Sequence, residues 1–129
     1  MSFLSEIDFF NKKANAANER LFRSSALAIF RGVILGTPVD EGRARGNWQA
    51  SVHAPITKET ETKDKGGHST ISKAESVTGS AKLGDVVYLA NNLPYIGKLN
   101  SGSSTQAPAM FVEANVKRVR DNLNKRGKA

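Results

Sequence analysis

The spacing of apolar positions predicts a long helix at the start of the chain. Between Phe3 and Leu35, Ile7, Phe10, Ala14, Ala17 and Leu21 recur at three- and four-residue steps. Phe22, Ala26, Ile29 and Val33 continue an adjacent stripe, as one apolar face of an amphipathic helix does. Neither proline nor glycine interrupts the run before Gly32, and Gly36 followed by Pro38 supplies the stop. At about 1.5 Å per residue such a helix spans about 45–50 Å. That is more than a small core needs, so part of it is expected to pack on a neighbouring subunit.

Beyond the stop, Thr37–Gly46 reads as a short loop rich in Pro, Gly and charge. Asn47–His53 alternates Trp48, Ala50 and Val52 with Asn47, Gln49, Ser51 and His53, the period of a half-buried strand. Ala54–Gly84 is dominated by Lys, Glu, Thr, Ser and Gly and shows alternation only in scraps such as Ser69–Lys73. It is expected to be a flexible loop or hairpin arm. Asp85–Ala90 returns to strand character through Val86, Val87 and Tyr88. Asn91–Asn100 fits a short helix with Pro94 in its first turn. From Pro108 a second helix places Val112, Val116, Val119 and Leu123 on one face, with Gly127 at its end and 125–129 as a disordered basic tail. The expected fold is α+β. A long N-terminal and a shorter C-terminal helix pack on a small antiparallel sheet in one domain spanning 1–129, with a mobile arm at 54–84.

Composition narrows the function. The chain of 129 residues is of single-domain size. Its 39% hydrophobic and 24% charged residues are ordinary for a soluble globular protein. No apolar run approaches the roughly 18 residues of a membrane span, and the acidic start Met1–Asp8 does not read as a secretion leader. There is no cysteine, which removes disulfides, thiol catalysis and thiolate-ligated metal. The net charge of +7 gathers at the end: Ser103–Ala129 holds six basic residues against two acids. Lys117, Arg118, Arg120, Lys125 and Arg126 are therefore the candidate contacts to DNA or an acidic surface. A solvated basic helix end complementing its own dipole is the plainer alternative.

Catalytic sets are not legible. His53 and His68 lack partners at metal-ligand spacing, and the acids Asp40, Glu41, Glu59, Glu61 and Asp85 give no reason to pair across a cleft. Gly66-Gly67 is not followed by the Lys-Ser/Thr of a phosphate loop. No enzyme activity, cofactor or metal is expected.

Two passages are more specific. The first is Thr37-Pro38-Val39-Asp40-Glu41-Gly42-Arg43-Ala44-Arg45-Gly46-Asn47-Trp48, in which Pro38 directs the chain off the helix, Asp40 suits a turn and Gly42 a permissive backbone. The second runs from Tyr88 through Asn91, Asn92, Tyr95, Leu99, Asn100 and Gly102 to Pro108-Ala109-Met110-Phe111-Val112. Together they resemble the small neck or tail-completion proteins (putative tail components) of long-tailed bacteriophages. That family carries Thr-Pro-Val-Asp-x-Gly-x-x-Arg-x-Ser/Asn-Trp after a helix, then Asn-x-x-x-Tyr-x-x-x-Leu-Glu-x-Gly, then Ala-Pro before the last helix. The resemblance marks Pro38, Asp40, Gly42, Arg43, Arg45, Trp48, Tyr88, Asn92, Tyr95, Leu99, Gly102 and Pro108. It leaves out only Ala54–Gly84. Asn100 stands where the family has glutamate, which removes a carboxylate for Arg43 or Arg45; Glu41, Ala44 and Met110 also depart from the family's usual residues.

The resemblance implies a structural virion protein made in the host bacterial cytoplasm. It would form a homo-oligomeric ring in the phage neck, joining the head connector to the tail tube. Its partners would be head-closure and tail-tube or tail-terminator proteins, with packaged DNA as a further contact and no membrane. A tail-terminator ring capping the tube, and a small basic DNA-binding protein, are the alternatives.

Overall fold

The computed structural model describes residues 3–8, 16–39, 41–82, 84–102 and 110–127, of which 3–8, 16–17 and 124–127 are described as backbone. In chain order the elements are strand β1 (Phe3–Asp8), helices α1 (Ala16–Gly36) and α2 (Arg43–Gly46), strand β2 (Gln49–Val52), helix α3 (His68–Ser80), strand β3 (Val86–Asn91) and helices α4 (Ile96–Asn100) and α5 (Phe111–Gly127). This is the expected α+β class, with a long N-terminal and a shorter C-terminal helix. No helix among the described residues is long and apolar enough to cross a membrane.

Helix α1 forms on the stripe legible in the sequence: Phe22, Ala26, Ile29, Phe30, Val33 and Ile34 are all buried. Gly32 lies under α5, where a Cβ would collide with the side chains of Asn115 and Arg118, while at Gly36 a Cβ would rest in ordinary contact with Phe111. The core joins this stripe to Val87 and Leu89 of β3, Phe111, Val112 and Val119 of α5, Ile71 and Ala74 of α3, and Trp48.

The sheet is antiparallel with order β1-β3-β2. In register, β1 pairs Phe3 with Asn91 through Asp8 with Val86, and β2 pairs Gln49 with Ala90 through Val52 with Val87. Along β3, Val87 and Leu89 are buried while Val86 and Tyr88 are half-buried, so the strand alternates until Ala90 and Asn91, which are both buried.

Five expectations are corrected. The first helix does not run from Phe3: it is 21 residues long, about 31 Å at the usual rise, and Phe3–Asp8 is a strand. The free edge of β3 offers those residues a ladder of hydrogen bonds, a tertiary partner that local periodicity does not reveal. Ala54–Gly84 is not an arm throughout, because residues 68–80 form α3 against α1 and β2. Its buried positions are Thr70, Ile71, Ala74 and Thr78, a helical spacing written partly in threonine and alanine and so hidden from a count of large apolar residues. The loop Thr37–Gly46 contains the one-turn α2, and the helix expected over 91–100 is shortened to α4 because β3 continues through Asn91. The basic tail is helical as far as Gly127, and residues 128–129 lie outside the described residues.

Candidate functional site

The first motif folds into a knot of hydrogen bonds where α1 ends. Thr37 Oγ1 donates to Val33 O across the last turn of α1 (2.7 Å) and accepts from the Trp48 indole Nε1–H (2.8 Å). Thr37 and Trp48 are both buried, so this pair satisfies two polar groups that would otherwise be costly inside the core. Pro38 is buried directly beyond.

Arg45 uses its guanidinium as a staple. Nη2 donates to Leu35 O and Thr37 O, both at 2.9 Å, and Nη1 to Lys65 O at 2.6 Å. One side chain therefore caps the carbonyl end of α1 and holds the far side of the 53–67 excursion. Burial lowers the Arg45 pKa and the nearby Asp64 carboxylate opposes that shift. Arg43 reaches outward instead, to Glu59 Oε1 at 3.3 Å with both side chains well exposed.

Asparagines secure the other side. Asn47, fully buried, donates to Arg43 O (2.8 Å) and accepts from Thr60 N–H (2.8 Å). Asn91, also fully buried, donates to Ala44 O (2.8 Å) and accepts from Leu93 N–H (3.2 Å). Asn92 donates to Ile56 O at 2.8 Å.

Two glycines make the approach possible. Gly42 sits at φ 87°, and a Cβ there would meet Lys65 N at 2.6 Å and Asp64 N at 2.8 Å. At Gly46 a side chain would run into the carbonyl of Thr62. The excursion then delivers Asp64, whose carboxylate accepts from Gly67 N–H (3.0 Å), Thr70 N–H (2.8 Å) and Thr70 Oγ1–H (2.8 Å). It does for α3 what an N-cap side chain does, satisfying amides that the helix leaves unpaired. Burial alone would raise the Asp64 pKa. The bonds from Thr70 and Gly67, with the His68 charge nearby, outweigh that and hold it below the usual carboxylate value.

The second motif closes the opposite end of the core. Asn100 is buried, accepts from Val112 N–H (3.0 Å) and donates to both carboxylate oxygens of Glu113 (3.0 Å each). The amide at this position thus anchors the first turn of α5. A glutamate here would set carboxylate against carboxylate, and Arg43 and Arg45 take other partners.

Of the other marked residues, Tyr88 is half-buried opposite Ser51 of β2, Leu99 packs on the core, and Tyr95 is 40% exposed. Gly102 supplies a φ of 98° just after α4. Asp40 and Pro108 lie outside the described residues. Lys117, Arg118 and Arg120 are exposed on α5, where Lys117 pairs with Asp121 at 2.8 Å and Arg118 donates to Asn115 at 3.0 Å. Lys125 and Arg126 are within α5, and their side chains lie outside what is described. His53 and His68 are exposed and separate, His53 facing Asp85 at 3.9 Å. Among the described residues no group of three or more His, Asp or Glu is placed to hold a metal ion.

Sequence reasoning missed Asn91 and Asp64. Asn91 occupies the leading asparagine of the second motif, and the pattern itself was the available signal. Asp64 lies in the stretch that reads as a flexible loop or arm, yet three residues short of Gly67 it has the spacing of a helix-start acid.

Fold and site together define a class: a small α+β domain whose most specific sequence motifs are spent on hydrogen bonds to its own backbone. No family model, curated protein or solved structure matches the chain.

Proposed function

We propose that this chain is a structural virion protein that forms an oligomeric ring in the neck of a long-tailed bacteriophage, joining the head connector to the tail tube. The reading rests on the resemblance of the two motifs to the neck and tail-completion family. One observation supports it most: Thr37, Asn47, Trp48 and Asn91, and both Nη atoms of Arg45, bond to internal partners. Residues placed this way prescribe a shape, which is what a ring subunit must reproduce identically in every copy.

Fractionation of a lysate of the parent phage tests the proposal. A neck subunit travels with filled heads that lack tails. A terminator subunit travels with tails that lack heads. Absence from both, and from complete particles, overturns both readings.

A further inference from the structure

We infer that the seam between α1 and α5 is a docking groove for an acidic amphipathic segment of a partner protein. Such a partner is additional to any contact between ring subunits and does not depend on the ring. The two helices run antiparallel here. Gly36 adjoins Phe111 and Gly32 adjoins Asn115. Further along, Ser24 and Ala28 of α1 face Val119, Asn122 and Leu123 of α5 across a groove of about 200 Å³. Ser24 and Asn122 are exposed at its mouth. Ala28 and Leu123 pack against the core to which Val119 belongs, so the floor is apolar. A cavity of about 150 Å³ takes a benzene ring, so the groove has room for one leucine or phenylalanine side chain.

Charge selects the occupant. Helices α1 and α5 together hold eight basic residues against three acids, so five of the chain's seven net positive charges sit on them. The three acids have partners within the fold: Glu19 pairs with Arg23 and Asp121 with Lys117, both at 2.8 Å, and Glu113 accepts from Asn100 at 3.0 Å. Arg20, Arg31 and Arg118 are exposed. Arg20 and Arg31 extend the ridge of Ser24 and Ala28 by one helical turn in either direction. Arg118 stands on the other rim. Its Nη2 donates to Asn115 Oδ1 at 3.0 Å and lies 2.9 Å from where a Cβ on Gly32 would be, so the glycine makes room for the guanidinium over α1. An exposed guanidinium fixed in this way suits a carboxylate. An apolar floor between basic rims matches a helix with leucines on one face and acids beside them. A phosphate backbone would bring nothing apolar to bury on Ala28, Val119 and Leu123, and a second copy of this chain would bring its own charge of +7.

The test takes the full chain and a fluorescent synthetic peptide of about 18 residues, made of Leu, Glu and Ala with the leucines on one helical face. A second peptide of the same composition spreads the leucines around the helix, and a DNA duplex is the third probe. At about 50 mM salt, where surface charges are weakly screened, fluorescence anisotropy is expected to show the first peptide bound about tenfold or more tightly than its isomer. Arg118→Glu reverses a rim charge and Ser24→Trp fills the groove, both at exposed positions. Each should weaken binding of the first peptide by about tenfold. Asn122→Trp fills the same groove from α5 and repeats the measurement should Ser24→Trp not fold. Equal affinity for both peptides, no binding of either, or full affinity in the folded tryptophan variants overturns the docking groove. Duplex DNA bound more tightly than the first peptide also overturns it and makes the seam a phosphate-binding surface instead.

Discussion

The two edges of the sheet carry ladders of different length, six residue pairs between β1 and β3 and four between β2 and β3. On the β2 side, the strand is backed by α3, and its approach is fixed by Trp48, Asn47 and Arg45 bonding to α1, α2 and the 53–67 excursion. On the β1 side, the backbone ladder to β3 runs over six residue pairs, from Phe3–Asn91 to Asp8–Val86. An edge with a short ladder is fixed when side chains bond it to several distinct elements, because it then opens only as those elements open.

Substitutions in the knot test the first half of that contrast, and the largest effect belongs to Trp48. Trp48→Ala removes a buried indole and leaves Thr37 Oγ1 without its donor; thermal or urea unfolding is expected to show a loss of about 3–5 kcal/mol. A variant as stable as the parent would mean the knot is incidental. Next comes Gly42→Ala. The side chain would strain a left-handed backbone and press on the Asp64–Lys65 amides. A loss of about 1–3 kcal/mol is expected, with α3 weakened more than α1 by hydrogen exchange.

Asp64 makes the same point through pH. Its folded pKa lies below the ordinary 3.8. The stabilisation it gives is therefore fully present above the ordinary value and is lost as pH falls through the folded one. Asp64→Asn is expected to cost about 1–3 kcal/mol at neutral pH, and the gap to the parent should narrow as pH falls below about 4. A gap independent of pH would place the effect elsewhere.

Backbone hydrogen exchange then addresses the second half: amides of β2, bonded through side chains to several elements, are expected to exchange more slowly than those of β1 in the isolated subunit. Equal protection of both strands in the free protein would erase the contrast. Smallest of all, changing Lys117, Arg118 and Arg120 to Gln, one at a time, should move stability by no more than about 0.5 kcal/mol each. If duplex DNA binds at about 50 mM salt and releases when all three are changed together, the DNA-binding alternative gains the support it lacks.

The sequence disclosed what large apolar side chains encode. The α1 stripe from Phe22, Val86–Tyr88 and the α5 face through Val112 and Val119 were all legible from period alone; a strand after Trp48 was too, although it is confined to Gln49–Val52 and all four residues are half-buried instead of alternating. Helix α3 was not, because Thr70 and Thr78 are buried by virtue of partners, and a threonine in isolation reads as loop. Strand β1 was not, because Ile7 falls on the helical period of Phe10 and Ala14, and only the vacant edge of β3 decides the matter. In the site, the motif located Trp48, Arg45 and Gly42 without saying that they bond inward. That requires knowing which backbone carbonyls the excursion brings within reach.

An averaged image of the neck of intact tailed particles, carrying a tagged form of this chain, tests the central claim most directly. The account predicts a closed ring of this subunit between the head connector and the tail tube. Particles that are complete and infectious with no copy of the chain between head and tail would contradict it.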